Sequence, residues 1–391
     1  MAKLLWRRVS PRVKRLLYVF ALCCLVFTGY VFIGNSVMYE EPSGLPDQVT
    51  QITAKEKIFD PKDYTSCPSP IDIYEERNVT HHKLQIRCGV GKAELFTDFS
   101  SDAKVLSINS GEPCLYNAIN NYCPSDGYKV PNLAHYIWFN IKTMSFYHFL
   151  SFMSVHLFQA PCVILVHGHL PGGPYWRYLV RVVPNIIHVA TNPPSTFNGK
   201  SIVSMEHKSD LVRLFVLKEY GGIYFDIDSV LLRSLDSIRN HSVTMSLEYW
   251  SNLSNGLILA EPDAKFTRMW ISKYREYTYD PEFYFEYSLF VPTKIARLHP
   301  KWIHVEHMTF CSPNGENRNQ IFEGNYDWGK NFALHLYIRF YKKEHSCADV
   351  RKLNTTIGAV ARTIIRNEGP IIRHRTVLPA HVSRGADQWS R

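Results

Sequence analysis

Continuous apolar runs alternate with amphipathic stretches in the middle of the chain. Residues 163–166 form an apolar run of the kind that is buried on both faces of a parallel sheet. An amphipathic stretch at residues 175–183 follows a turn rich in glycine and proline, and residues 186–189 repeat the apolar run. A strand, a helix and a second strand at this spacing form a right-handed βαβ unit. The pattern therefore predicts an α/β fold.

The pattern extends this unit in both directions along the chain. Residues 131–139 predict the first strand of the core, and residues 146–158 predict a helix with an apolar face. A later helix is predicted at residues 266–277. Residues 334–340 alternate between apolar and polar side chains, which is typical of a strand with one exposed face, and His335 falls on the polar side.

The most informative stretch joins a helix, a glycine turn and a strand. Residues 209–220 have apolar positions at helical spacing, two glycines follow, and residues 223–225 predict a buried strand. Asp226 and Asp228 come next and point to the same side, because successive side chains of an extended chain alternate. Two carboxylates at the carboxyl end of a strand form a hard oxygen site for a divalent cation.

Paired aspartates are also common on solvated surfaces. Here, however, apolar residues stand directly before and after the pair, at residues 223–225 and 230–232. A carboxylate in apolar surroundings needs a partner. We therefore interpret Asp226 and Asp228 as catalytic, metal-binding residues.

The basic balance of the chain is a property of its amino terminus. The formal net charge is +9, and residues 1–15 contribute six lysine and arginine side chains and no acidic one, which leaves 9 − 6 = +3 for the rest. The charge is therefore no evidence for nucleic-acid binding. Residues 16–33 are uncharged and mostly apolar, and eighteen residues are near the lower limit for a membrane-spanning helix. The basic flank predicts a cytosolic tail at residues 1–15 and a luminal remainder.

The predicted topology is that of a single-pass type II membrane protein. Residues 16–33 are its transmembrane signal anchor, with a cleaved signal peptide as the competing interpretation. Residues 34–63 predict a stem, and residues 64–128, with four cysteines, predict a small disulfide-supported luminal region. Residues 129–391 are the predicted catalytic domain. A short span suits the thinner membranes of the early secretory pathway.

The cysteines and glycosylation sequons fit a luminal compartment. Nine cysteines are present, seven of them after the predicted span, so at least one thiol has no partner within the chain. Cys162 precedes an apolar run and is predicted to be a buried structural cysteine. Four Asn-x-Ser/Thr sequons predict a glycoprotein. They begin at Asn78, Asn240, Asn252 and Asn354.

Residues 207–213 and 221–228 contain Ser-Asp-x-x-Arg followed by Gly-Gly-x-Tyr-x-Asp-x-Asp. This pattern resembles the glycosyltransferases with a DXD sugar-binding region, which include the animal α1,4-galactosyltransferases and the yeast initiating mannosyltransferase. The resemblance extends more weakly from about residue 131 to about residue 341. It implies a GT-A-like, Rossmann-type mixed sheet with helices on both faces, and a nucleotide-sugar donor. It also implies manganese or another divalent cation, and retention of the anomeric configuration.

The resemblance implies metal-binding roles for three residues. Asp228 is the direct cation ligand, and Asp226 shares the metal and also reaches the ribose. In the family a late strand, Ala-x-His-x-Trp, places a histidine near the metal and the diphosphate. His335 matches this histidine, with Tyr337 where the tryptophan usually stands. A half-exposed strand histidine is the alternative for His335.

Five further residues are implied to bind the substrate. Trp138 matches a position that contacts the nucleotide, but a core aromatic residue fits as well. The counterpart of Asp210 borders the donor pocket and that of Arg213 helps to hold it, although a structural salt bridge one helical turn apart explains both residues equally well. Asn255-Gly256 resembles a turn beside the donor sugar, and Asn-Gly is also simply a common turn.

The sequence therefore predicts a Golgi-type luminal glycosyltransferase. Its donor is a UDP-hexose or UDP-N-acetylhexosamine, and its acceptor is a glycan or a glycolipid. One alternative is a haloacid-dehalogenase phosphatase, whose first motif occurs at residues 226–230 but whose Gly-Asp motif is absent from the sequence. The other is a non-catalytic, lectin-like protein with the same fold. The sequence assigns no nucleophile, and Glu248 and Asp263 are candidates only by their proximity in sequence.

Overall fold

The computed structural model describes residues 105–366, except for positions 112, 184, 249–250, 342 and 351. The predicted tail, membrane span and stem lie outside these residues. Among the helices of the described part, none has both the length and the apolar character that crossing a bilayer requires.

The described residues form twelve strands and nine α-helices. The strands are β1 (Leu106–Asn109), β2 (Leu133–Trp138), β3 (Val163–Gly168), β4 (Ile186–Ala190), β5 (Thr196–Phe197), β6 (Lys200–Ser201), β7 (Gly222–Phe225), β8 (Ser229–Leu231), β9 (Val243–Leu247), β10 (Leu253–Ala260), β11 (His304–Glu306) and β12 (Ala333–His335). The helices are α1 (Pro113–Tyr122), α2 (Phe146–Phe158), α3 (Pro174–Val182), α4 (Met205–Tyr220), α5 (Lys265–Lys273), α6 (Val291–Leu298), α7 (Asn319–Phe322), α8 (Cys347–Val350) and α9 (Thr356–Arg366).

An eight-stranded mixed sheet lies at the centre, in the order β1-β4-β3-β2-β7-β10-β9-β11. The strands from β1 to β7 are parallel to their neighbours in this order. Strand β10 is antiparallel to both β7 and β9, and β11 is parallel to β9. The predicted α/β class with a mixed sheet is confirmed. Because β10 is antiparallel to both of its neighbours, β7 and β9 run in the same direction, and their carboxyl ends lie at the same end of the strands.

Helices cover both faces of the sheet, as predicted. Along β2, Tyr136 and Trp138 enter an apolar core that contains residues of α2, α3 and α9. Ile137 and Phe139 enter a second core, with residues of α4, α5 and α6. Successive side chains of a strand point to opposite faces, so a strand covered on both sides is mostly apolar, and His135 is the polar exception in β2.

Two glycines join α4 to β7 and set the start of the strand that precedes the aspartates. Gly221 has φ 65° and donates its N–H to the carbonyl oxygen of Leu217 at 3.0 Å. Gly222 has φ 103°, and a Cβ there would lie 2.5 Å from the carbonyl oxygen of Leu133 in β2. Both the backbone conformation and the available space therefore require glycine at position 222.

The predicted late strand is shorter than its alternating pattern. β12 pairs antiparallel with β8 and ends at His335, and Tyr337 has φ 52°. The chain turns because Asp228 holds it: the carbonyl oxygen of Asp228 accepts the N–H of Leu336 at 3.0 Å, and its Oδ2 accepts the N–H of Ile338 at 3.0 Å. The strand prediction is therefore wrong beyond His335, because hydrogen bonds to Asp228, which is distant in sequence, override the two-residue period.

The central sheet begins before the predicted domain boundary at residue 129. β1 pairs with β4 and forms one edge of that sheet, so residues 106–109 do not belong to a separate region. Cys162, predicted as a buried structural cysteine, is half-buried and forms a disulfide with Cys123. The bond links the end of α1 to the start of β3. Sequence spacing alone does not encode such a pairing.

We expect Gly222→Ala to destabilise the protein more than a matched glycine replacement. Gly199, in the turn between β5 and β6, also has a positive φ of 74°, but a Cβ there meets nothing within 4 Å. Gly199→Ala should lower the free energy of unfolding by about 1 kcal/mol through backbone strain alone. Gly222→Ala should lower it by about 3 kcal/mol, because its Cβ also meets backbone. Urea unfolding of both variants measures the difference, and equal losses would contradict this account.

Candidate metal centre

Three side chains from three strand ends meet at one edge of the structure. Asp226 follows β7, Asp228 precedes β8, and His335 ends β12. Each offers one ligand atom, and these atoms all lie within 4.8 Å of one another. His335 Nε2 is 3.1 Å from Asp228 Oδ1 and 3.6 Å from Asp226 Oδ2. The structure thus brings together the three residues that the sequence suggested as metal ligands.

A proton on His335 balances the charge of this cluster. Burial lowers the pKa of His335, but the charge of Asp228 and its hydrogen bond outweigh burial, with a further contribution from Asp226, and raise that pKa to about 9. Burial raises the pKa of Asp228, but His335 and the N–H of Ile338 outweigh it and lower that pKa to about 2. Two carboxylates therefore converge on a positive charge at Nε2.

The same atoms fit a divalent cation in place of the proton. Two carboxylate oxygens and one imidazole nitrogen form a donor set that manganese and similar cations accept. Close backbone packing makes the arrangement possible, because a Cβ at Gly256 would lie 3.0 Å from His335 Nδ1 and 3.1 Å from Asp226 Oδ2. Gly256, which the sequence suggested as a substrate-binding residue, therefore makes room for two of the ligands.

A buried arginine holds Asp226 from the other side. Arg213 lies in α4 and is 5% exposed. Its Nη2 is 3.1 Å from Asp210 Oδ1, and its Nη1 is 3.4 Å from Asp226 Oδ1. The O–H of Tyr224 donates to the same Oδ1 of Asp226 at 2.5 Å. The predicted Asp210–Arg213 salt bridge exists, and it is continuous with the metal cluster.

Asp210 is enclosed by hydrogen-bond donors. The side-chain amide of Asn255 donates to its Oδ1 at 2.9 Å, and the hydroxyl of Ser288 donates to its Oδ2. The carbonyl oxygen of Asn255 in turn accepts an N–H of Arg213 at 2.7 Å. The Asn255-Gly256 turn, α4 and the segment around Ser288 are therefore tied into one wall beside the cluster.

Trp138 is buried and does not contribute an exposed surface to this site. Its side chain is 0% exposed, and its indole N–H donates to the carbonyl oxygen of Ile141 at 2.5 Å. The ring of His148 packs against it edge-on, at 5.0 Å between ring centroids. The structure favours the alternative interpretation of Trp138 as a core aromatic residue.

Four residues near the cluster were not assigned from the sequence. Tyr224 stands two positions before Asp226, so the period of the strand could have placed both side chains on one face. Ser288, Glu248 and Tyr337 arrive through tertiary contacts. Ser288 lies in a π-helical turn, Glu286–Phe290, and no local sequence pattern indicates its contact with α4.

Residues 130–244 match the family described as "Glycosyltransferase sugar-binding region containing DXD motif". Among curated proteins, Glucan organizing enzyme 1 of Cryptococcus neoformans var. grubii serotype A is 28% identical over 199 residues. That match covers 46% of this chain and 53% of the relative, so the chain spans about half the length of the curated protein that it matches.

Solved glycosyltransferases are more distant in sequence. The PaToxG glycosyltransferase is 16% identical, with a TM-score of 0.32 over 65% of this chain and 92% of that one. The glycosyltransferase GlyE of Streptococcus pneumoniae TIGR4 is 9% identical, with a TM-score of 0.34 over 60% of this chain and 59% of that one. Scores of this size do not establish a shared fold.

The predicted resemblance to glycosyltransferases with a DXD region is confirmed over residues 130–244, which contain Asp226 and Asp228. The haloacid-dehalogenase alternative has no support from these relatives. His335 and the Asn255-Gly256 turn lie beyond the matched region, so their place at the cluster comes from the structure.

We expect the stability of the cation-free protein to depend on pH through His335. The folded pKa of His335 is about 9, above its ordinary value of 6.5, so the folded state binds this proton more tightly than the unfolded state. The resulting stabilisation is fully present below pH 6.5 and is lost as the pH rises through about 9. Relative to His335→Gln, the wild type should lose about 3 kcal/mol across this range. Urea unfolding in EDTA measures it, and a constant difference between the two proteins would contradict the assignment.

Proposed function

We propose that this protein is a divalent-metal-dependent glycosyltransferase with a GT-A-like fold. It transfers a hexose or an N-acetylhexosamine from a UDP-sugar to a glycan or glycolipid acceptor, with retention of configuration. From the sequence we further propose a Golgi location, with residues 16–33 as the anchor and the catalytic domain in the lumen. The observation that carries the proposed activity is the convergence of Asp226, Asp228 and His335 at the end of β7, within a chain whose DXD region matches a glycosyltransferase family.

Sugar transfer from a nucleotide requires stabilisation of the leaving diphosphate. A divalent cation, when bound, supplies Lewis-acid stabilisation of that negative charge. Asp226, Asp228 and His335 would hold the cation, and manganese is the metal that the family resemblance favours. His335 must give up its proton to coordinate, so cation binding competes with protonation at Nε2.

The other residues fix the geometry of these ligands. The backbone N–H of Ile338 holds Asp228 Oδ2 at 3.0 Å and thereby orients its carboxylate. Arg213 and Tyr224 hold Asp226 Oδ1, which leaves Oδ2 on the side of His335. Partners of this kind orient metal ligands and tune their affinity.

The Asp210 network supports a place for the donor sugar. Asp210 is 3% exposed, and Arg213, Asn255 and Ser288 satisfy its carboxylate. A carboxylate whose hydrogen bonds are all satisfied in this way acts indirectly, by fixing the positions of the residues that it contacts. In this proposal Arg213 and Asn255 form the side of the donor pocket, and Gly256 allows the backbone to approach it.

The phosphatase alternative gains no support from the geometry of Asp226. That mechanism requires the carboxylate of Asp226 to attack phosphorus as a nucleophile. One oxygen of Asp226 accepts the O–H of Tyr224 and lies beside Arg213, and the other lies beside His335. Both oxygens are thus directed to partners that suit a metal ligand.

We expect Asp228→Asn to weaken the binding of UDP in the presence of Mn²⁺ by at least about tenfold. The substitution keeps the shape of the side chain and removes one negative ligand, and the cation joins the protein to the diphosphate. Isothermal titration calorimetry of UDP with Mn²⁺ and with EDTA measures the effect. Asp236→Asn is the matched control, because Asp236 follows β8 and pairs with Arg239 instead. Binding of UDP that needs no metal and survives Asp228→Asn, or release of phosphate from simple phosphomonoesters, would overturn the proposed function.

A further inference from the structure

Tyr337 is held in a strained conformation between the metal cluster and a third carboxylate, that of Glu248. It has φ 52° and lies between β12 and the 3-10 turn Ile338–Phe340. A residue other than glycine pays about 1–2 kcal/mol for this conformation. Such strain persists only where the surrounding contacts enforce it, and it concentrates at functional sites.

Three contacts enforce the conformation of Tyr337. Its ring stacks on His335, with 4.1 Å between ring centroids and 23° between the planes. Its O–H donates to Glu248 Oε1 at 2.6 Å. The next residue, Ile338, donates its N–H to Asp228 at 3.0 Å. Tyr337 therefore joins two of the metal ligands to Glu248.

Glu248 lies at the same end of the strands of the central sheet as the metal cluster. It follows β9 directly, as Asp226 follows β7, and these two strands run in the same direction on either side of β10. Two strand spacings separate them, roughly 10 Å. Asp263, by contrast, follows β10 at the opposite end of the strands and pairs with Arg268 on the surface. Of these two acidic residues, which both follow Asp226 and Asp228 closely in sequence, only Glu248 lies on the side of the metal cluster.

Glu248 reaches the centre electrostatically as well. Burial lowers the pKa of His335, but Asp228, Asp226 and Glu248 together outweigh burial and raise that pKa. A third negative charge here disfavours a phosphate group beside it. An uncharged ligand rich in hydroxyl groups suits it, because a carboxylate can accept about four hydrogen bonds and Tyr337 supplies only one.

We infer that Glu248 binds a hydroxyl group of the sugar carried by the UDP donor, and that Tyr337 positions the carboxylate for this contact. The inference rests on the proposed function and adds a residue that selects the donor sugar. It assigns a separate role to the ring and to the hydroxyl group of Tyr337. The ring packs on the metal ligand His335, and the O–H orients Glu248, the residue that binds the sugar. The tryptophan of the resembling family at this position has no hydroxyl group.

The test compares the affinity for an intact UDP-sugar with the affinity for UDP alone. UDP lacks the sugar, so the ratio of the two dissociation constants isolates the contact of Glu248. We would measure it by calorimetry with Mn²⁺ for UDP-galactose, UDP-N-acetylgalactosamine and UDP-N-acetylglucosamine. Glu248→Gln should weaken the best-bound UDP-sugar by about tenfold to a hundredfold, the usual cost of losing a hydrogen bond to a charged group. Its affinity for UDP should stay within about twofold.

Tyr337→Phe separates positioning from packing, because it keeps the ring on His335 and removes only the O–H. It should weaken the binding of the same UDP-sugar several-fold. The double variant with Glu248→Gln should be no weaker than Glu248→Gln alone, since both changes remove one contact. Glu261→Gln is the control. Glu261 is also half-buried and also follows a strand of this sheet, but it lies at the opposite end of the strands.

The outcomes separate this inference from the proposed function. If the wild type does not bind UDP with Mn²⁺, the proposed function fails, and the inference fails with it. If the wild type binds UDP but Glu248→Gln leaves the ratio unchanged for all three sugars, only the inference is overturned. It is also overturned if UDP and UDP-sugar weaken equally, which indicates a structural role. A loss seen only in transfer to an acceptor, with donor binding intact, overturns the assignment to the donor sugar.

Discussion

The carboxylate of Asp228 must be compensated because it is almost completely buried. An unpaired charge in such a position would destabilise the fold strongly. Within the part of the chain that the structure describes, the hydrogen bonds to this carboxylate come from one late segment: His335 at Oδ1, and the N–H of Ile338 at Oδ2. These bonds join β8 to β12. They bring His335, which lies 107 positions later in the sequence than Asp228, to the DXD motif. The arrangement of the candidate site follows from this requirement.

A second buried charge organises the opposite side of the site. Arg213 is surrounded by Asp210, Asp226 and the carbonyl oxygen of Asn255. Because α4 leads through two glycines directly into β7, the arginine and the aspartate that it contacts are set by one continuous piece of chain. The site thus has one wall built locally, from α4 and β7, and one wall built from distant segments.

This division explains what the sequence could predict. The helix, the glycine turn, the strand and the pair Asp226–Asp228 lie within about twenty residues, so the periods of helix and strand were sufficient to place them. The helices on both faces were also predictable, because residues 163–166 of β3 are apolar at every position. The mixed sheet was implied by the family resemblance. His335 was correctly placed on the side of the cluster, although its strand ends earlier than the pattern indicates.

The features that the sequence did not reveal depend on tertiary contacts. The turn at Tyr337 follows from hydrogen bonds to Asp228, and the contact of Ser288 with Asp210 joins residues that no period connects. The disulfide of Cys123 with Cys162 is likewise a matter of spatial position. Trp138 matched a nucleotide-contacting position of the family, but its side chain is fully buried, and burial depends on the tertiary structure.

The central claim is that Asp226, Asp228 and His335 hold one divalent cation that also contacts a nucleotide diphosphate. Electron–nuclear double resonance of Mn²⁺ bound to the protein with UDP tests this claim directly, because it detects the nuclei coordinated to the metal. The account predicts a nitrogen coupling from one imidazole, absent in His335→Gln, together with a phosphorus coupling from UDP. Manganese bound without the imidazole nitrogen, or without phosphorus coupling when UDP is present, would contradict it.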